Sequence, residues 1–211
     1  MPIKADQDIV REGDHPSRSC LILSGCACTY KMSKNGKRQI VSFNLPGDIP
    51  DLQSLHLEVL DNSLGTITPC SVGFIPHETL DKLCERHYRI AKAFWRENLI
   101  EGAIYREWMT SIGQRQAYAR IAHLLCEMLV RLRAVGLVNG YSCNWPITQG
   151  EIGDALGITT VHVNRVFQAM RADGLIELKG ERLNIPNWNR LKEAGDFDPT
   201  YLHLEQEETT A

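Results

Sequence analysis

The run from Ile147 to Ile185, ITQGEIGDALGITTVHVNRVFQAMRADGLIELKGERLNI, constrains this chain more than any other stretch, because it fixes two short helices around one tight turn. Thr148-Gln149-Gly150-Glu151 has the residues of a capping box: the Thr hydroxyl accepts from a first-turn amide and the Glu carboxylate accepts from the Thr amide. Ile152, Ala155 and Leu156 line one face of the helix that follows. Gly157 then ends it, since glycine enters the left-handed conformation without a Cβ penalty. Thr159 is an N-cap for a second helix, whose Val163, Val166, Phe167 and Met170 make one apolar stripe before Asp173-Gly174. Beyond it, Leu175–Leu178 and Leu183–Ile185 flank the charged tip Lys179-Gly180-Glu181-Arg182, which reads as a hairpin. Two helices around a glycine turn, followed by a hairpin, make a winged helix.

Once the stripe is buried, Thr160, Val161, Asn164, Arg165, Gln168 and Arg171 share the outer face of the second helix, with His162 at its flank. Only the major groove of DNA admits a helix and shows a distinct pattern for each base pair. Arg reads guanine there, Asn or Gln reads adenine, and an apolar side chain meets the thymine methyl. Val161 suits the last of these roles. A solvated surface role accounts for any one of these side chains about as well, but not for the whole set.

These residues carry a resemblance. Ile147-Thr-Gln-x-Glu-Ile-Gly-x-Ala-Leu-Gly-Ile-Thr, Val163-Asn-Arg165 and Gly174-Leu-Ile resemble the C-terminal DNA-binding domain of the Crp/Fnr superfamily of bacterial transcription regulators. The resemblance implies DNA-binding residues Thr148, Thr160, Val161, His162, Asn164, Arg165 and Gln168. It also implies a homodimer on a palindromic site and RNA polymerase as a further partner. Many members carry an Arg-Glu pair in the first turn of the recognition helix, where this chain has Thr160 and Val161, so the family's best-known target does not carry over. Arg165 matches the family's later recognition-helix arginine.

The formal net charge of −3 is unusual for a DNA binder until it is divided along the chain. Residues 192–211 carry one Lys and six acidic residues, a charge of −5, which leaves +2 for the rest. Arg115, Arg120, Arg131 and Arg133 face a single Glu127 between Ser111 and Ala134, so basic charge is expected beside the reader domain, where phosphates can use it. No stretch is apolar enough to span a bilayer, and the N-terminus lacks the regions of a signal peptide, so a cytoplasmic location is expected. The seven cysteines include no Cys-x-x-Cys pair and are expected as reduced core thiols.

From Pro2 to Pro76, turn signals separate the apolar runs Cys20–Leu23, Ala27–Met32, Ile40–Leu45 and Val72–Ile75, and Asn35-Gly36 marks a hairpin. This spacing predicts a β-barrel or jelly roll. Gly13-Asp14, Leu23-x-Gly25 and Pro46-Gly47-Asp48 resemble the cyclic-nucleotide-binding-type β-roll of the same superfamily. Members usually have a helix and a strand before the segment at Ile9, so a late or shortened start is expected. Nucleotide-binding members also carry a Gly-Glu pair for the ribose and an Arg for the phosphate. Here Leu52 stands at the glutamate and no arginine lies between Arg38 and Arg86, so no cyclic nucleotide is expected as a cofactor. Thiol or soft-metal sensing through Cys20, Cys26 and Cys28 is the weaker alternative to core thiols. No nucleophile, base or metal set points to an enzyme.

The segment His77–Arg86 predicts a short helix, and about Tyr88 to Ile112 a long one with two apolar lines. Ile100, Ile104, Trp108 and Ile112 form the first and are expected at a dimer seam; Trp95, Leu99, Gly102 and Met109 form the second. Gln116–Ala134 and Trp188–Ala194 predict two further helices. The chain is therefore read as α+β: a β-roll sensor (1–86), a dimerisation helix (87–113), a winged helix-turn-helix domain (114–190) and an acidic, mobile tail (191–211). The competing class is a protein-interaction module whose winged helix no longer reads DNA.

Overall fold

The structure, a computed structural model, describes residues 1–204. Seven strands come first: β1 (Pro2–Ile3), β2 (Asp8–Val10), β3 (Arg18–Ser24), β4 (Ala27–Met32), β5 (Arg38–Asn44), β6 (Ser63–Thr66) and β7 (Cys70–Pro76). They form two antiparallel sheets, ordered β1-β7-β3 and β2-β6-β4-β5. Cys20, Ile22, Ala27, Leu64, Cys70 and Val72 fill the space between the sheets. The four apolar runs of the sequence become β3, β4, β5 and β7, whereas β6 reads as too polar for a strand. Its hydroxyls are satisfied by backbone: Ser63 Oγ accepts from Glu12 N at 3.0 Å and Thr66 Oγ1 from Gln7 N at 3.0 Å. Asn35-Gly36 closes the β4–β5 hairpin, with Gly36 at φ +77° and Ser33 N donating to Lys37 O at 2.9 Å.

Two helices follow, α1 (His77–Arg86) and α2 (Tyr88–Gln114). Each residue of a helix turns about 100°, so α2 presents distinct sides. The back is covered within the chain: Ile100, Ile104 and Trp108 are 9%, 7% and 6% exposed, and the Trp108 ring meets Phe43 edge-on at 5.8 Å. This corrects the expected seam, because three of its four residues are already buried against the chain's own roll and third helix. Ile112 is partly exposed at the flank of that line. The front is the second line instead: Trp95, Leu99 and Met109 are 70%, 61% and 74% exposed.

The C-terminal half comprises α3 (Ala117–Ala134), β8 (Val138–Asn139), β9 (Ser142–Asn144), α4 (Gln149–Leu156), α5 (Thr160–Ala172), β10 (Glu177–Lys179), β11 (Arg182–Asn184) and α6 (Trp188–Ala194). Its four short strands pair as β10-β11-β9-β8. One continuous apolar core runs from Phe43 and Leu45 of the roll region, through the back of α2 and the apolar side of α3, to Val163 and Phe167 of α5. The last described residues, where a mobile tail is expected from the sequence, pack against α3. Phe197 and Leu202 are buried, and Tyr201 donates to Glu127 Oε2 at 2.7 Å. His123 of α3 anchors this strap: its ring stacks on Tyr201 with centroids 5.9 Å apart, and its Nδ1 lies 3.1 Å from Gly195 O. A Cβ on Gly195 would sit 2.6 Å from His123 N, so only glycine permits this approach. The expectation of mobility for residues 205–211 lies outside the described residues.

Candidate functional site

Local chemistry builds the reader as the sequence predicts. Thr148 Oγ1 accepts from Glu151 N at 3.3 Å and Glu151 Oε2 accepts from Thr148 N at 2.6 Å, closing the capping box of α4. Gly157 ends α4 at φ +66°, and Thr159 Oγ1 accepts from His162 N to start α5. The turn is tight, since a Cβ on Gly153 would lie 2.7 Å from Ile158 O. Val163, Val166, Phe167 and Met170 bury one side of α5, which leaves Thr160, Val161, His162, Asn164, Arg165 and Gln168 together on the exposed side. Val161, a large apolar side chain on this polar face, is 64% exposed. Thr148 is exposed at the start of α4, beside the same surface.

One contact in this surface was not legible in the sequence. Asn164 Nδ2 donates to Gln149 Oε1 of α4 at 3.0 Å, and Gln168 Nε2 donates to Asn164 Oδ1 at 3.0 Å. Gln149 and Asn164 are fifteen positions apart, on different helices, and no local pattern joins them.

The arginines expected to serve phosphates are mostly structural. Arg115 pairs with Glu107 at 2.7 Å and Asp196 at 3.3 Å; Arg120 donates to the carbonyls of Leu156, Ile112 and Arg115; Arg131 donates to Phe43 O at 2.7 Å. Arg133 donates to Gly140 O and lies over the Tyr141 ring. Partners within the fold hold these side chains in place, so the exposed Arg165 and Arg171 carry more of the reader's basic surface.

The reader is docked on the roll. Arg38 Nε donates to Asp154 Oδ2 of α4 at 2.8 Å, and Gln39 Nε2 donates to Ala155 O at 2.9 Å. A cavity of about 740 Å³ lies between β5 and the flank of α2, lined in part by Lys31, Gln53, Asp61, Asn62, Asn98 and Glu101. No arginine lines it, Arg38 is held by Asp154, and Lys31 is shared between Glu12 and Asp61. These residues do not fit a cyclic phosphate, which needs a charge-assisted partner to offset its burial.

The Cys20 thiol is kept apart from those of Cys26 and Cys28. Cys20 lies between the two sheets, while Cys26 and Cys28 belong to the core continuous with α3. Burial pushes Cys20 and Cys28 up to about 12 and also raises Cys26, which suits inert core thiols better than nucleophilic ones.

Comparison with known proteins agrees with this geometry. Residues 119–194 match the Crp-like helix-turn-helix domain and residues 1–87 the cyclic nucleotide-binding domain. The chain is 28% identical over 187 residues to the transcriptional activator protein FnrA of Stutzerimonas stutzeri, covering 87% of this chain and 75% of that protein. It is 29% identical over 201 residues to the transcriptional activator protein FnrL of Cereibacter sphaeroides, covering 92% and 79%. Among solved structures, FixK2 from Bradyrhizobium japonicum superposes with a TM-score of 0.84 at 25% identity, covering 92% of this chain and 95% of that one.

Proposed function

The chain belongs to the Crp/Fnr family of transcription regulators, and from that premise we propose that it acts as a homodimer that inserts two copies of α5 into successive major grooves of a palindromic site. The observation that carries this reading is the exposed face of α5, where Asn164, Arg165, Gln168 and Val161 point outward from a helix fixed at both ends. Arg165 and Asn164 reach base edges, Val161 meets a thymine methyl, and Thr160, His162, Gln168 and Thr148 complete the contact with bases and phosphates. The two copies join through the front of α2, along Trp95, Leu99, Gly102 and Met109. RNA polymerase is the partner through which such a regulator acts, and the cytoplasm is where it meets both. No helix among the described residues is long and apolar enough to cross a membrane. Selection from random duplex DNA tests the reading: enrichment of a palindrome with half-sites about 34 Å apart supports it, and no enrichment removes it.

Two expected results follow. Arg165→Ala costs about 1–3 kcal/mol of binding and relaxes one position in each half-site; an equal loss on all sequences would make Arg165 a phosphate contact instead. Adenosine or guanosine cyclic monophosphate gives no calorimetric binding at micromolar concentration, because losing the charged partner of a buried ion costs about 3–5 kcal/mol. Micromolar binding together with tighter DNA binding would restore nucleotide sensing to the roll.

A further inference from the structure

The three amides of the reader surface form a ladder across two helices. Gln168 Nε2 donates to Asn164 Oδ1, and Asn164 Nδ2 donates to Gln149 Oε1, each at 3.0 Å. Each link needs one N–H facing one carbonyl. Turning a single amide over would place two donors or two acceptors face to face in at least one link, which leaves a link unmade. Turning all three satisfies both links again. The ladder therefore has two polarities, and its members change together or not at all.

Asn164 spends one N–H and one lone pair on the ladder and keeps one of each. Adenine is read by an amide that donates to N7 and accepts from the N6 amino group. At a fixed place in the groove, adenine on one strand needs these groups in one order, and adenine on the other strand needs them reversed. Gln149 lies at the first turn of α4, outside the helix that carries the base-reading residues, yet it is one of the two side chains that hold the Asn164 amide.

We propose that Gln149 is a positioning residue for specificity: through the ladder it holds the Asn164 amide in place and ties its polarity to its own, so that Asn164 reads adenine on whichever strand the ladder's polarity selects. The proposal rests on α5 occupying the major groove. In the wild type both polarities are open, so the base pair under Asn164 is accepted as A·T or T·A. Glutamate at 149 is an acceptor only and holds the polarity seen here; leucine removes the link.

The test is selection from random duplex DNA with the full-length wild type, Gln149→Glu and Gln149→Leu, each first shown to unfold at the wild-type temperature. The expected wild-type result is one position per half-site with A·T and T·A both enriched. Gln149→Glu should narrow that position to one strand by about tenfold, even if its charge weakens overall affinity, and Gln149→Leu should lose the adenine preference there while other positions keep theirs. An unchanged preference in both variants, or a loss spread equally over all sequences, would overturn the proposal. Side-chain amide NMR of the free protein adds an arm that needs no DNA: hydrogen exchange of the Asn164 amino group should quicken in Gln149→Leu. Quickened exchange without an enriched palindrome in the wild type would leave the ladder real but overturn both its role in specificity and the DNA reading; unchanged exchange would overturn the ladder and with it the proposal, while an enriched palindrome would still uphold the DNA reading.

Discussion

Leu99→Glu or Met109→Glu is expected to yield a monomer by light scattering and to weaken binding to the palindrome about a thousandfold or more, toward the non-specific level. Both side chains are mostly exposed on the front of α2, so neither change disturbs the core, and helix content should stay at the wild-type value. With Trp95 and Gly102 they are spaced by four, three and seven residues, which is the seven-residue repeat that keeps one line of a helix facing a partner helix. Trp108→Glu makes the contrast. That side chain is buried and its indole N–H donates to Glu127, so the variant should lose folded protein rather than only the dimer. A Leu99→Glu chain that stays dimeric would show that the copies meet elsewhere.

Glu127→Ala should be the most destabilising single change, at about 3–5 kcal/mol in denaturant unfolding. The Glu127 carboxylate is fully buried. It accepts from Trp108 Nε1 at 2.9 Å and from Tyr201 OH at 2.7 Å, and it lies 3.5 Å from the Arg131 guanidinium. Removing it strands an indole donor of α2, takes the carboxylate from the phenol of the C-terminal strap, and leaves the Arg131 guanidinium with Asp48 as its one nearby carboxylate among the described residues. Tyr201→Phe removes the hydrogen bonds of the phenol to Glu127 and to His123 Nε2 but leaves the carboxylate its Trp108 donor, and should cost about 1.5–3 kcal/mol, the worth of a hydrogen bond to a charged group. Equal losses in the two variants would mean that the carboxylate does not bind these three elements together.

The parts of the chain that were legible in advance depend on neighbours in sequence. The capping box at Thr148, the glycine turn at Gly157 and the Asn35-Gly36 hairpin each depend on residues within a few positions, and each forms as read. The dimer line was misread because apolarity was followed without its angle. Ile100, Ile104, Trp108 and Ile112 recur every four residues, so each step advances about 40° beyond a full turn and the line winds from the back of the helix to its flank. Trp95, Leu99, Gly102 and Met109 keep the shorter period and stay in front. The arginines failed for another reason. Nothing near Arg131 announces Phe43 O, and nothing near His123 announces Gly195 O, because those partners arrive only when the roll and the strap close on α3. Gln149 was missed as a site residue on the same grounds.

The sidedness of α2 also limits how its length can change. One residue inserted between Trp95 and Ser111 would turn everything after it by about 100° and carry it 1.5 Å along the axis. Placed before Leu99, it would swing that side chain from solvent into the core, and Trp108 would leave its place beside Phe43 and Glu127. Seven inserted residues would restore the angles but add roughly 10 Å, lifting Asp154 and Ala155 out of reach of Arg38 and Gln39. Point substitutions can be absorbed one side at a time, whereas small insertions and deletions in this helix should be rejected almost everywhere. Between the roll and the reader the chain has no slack.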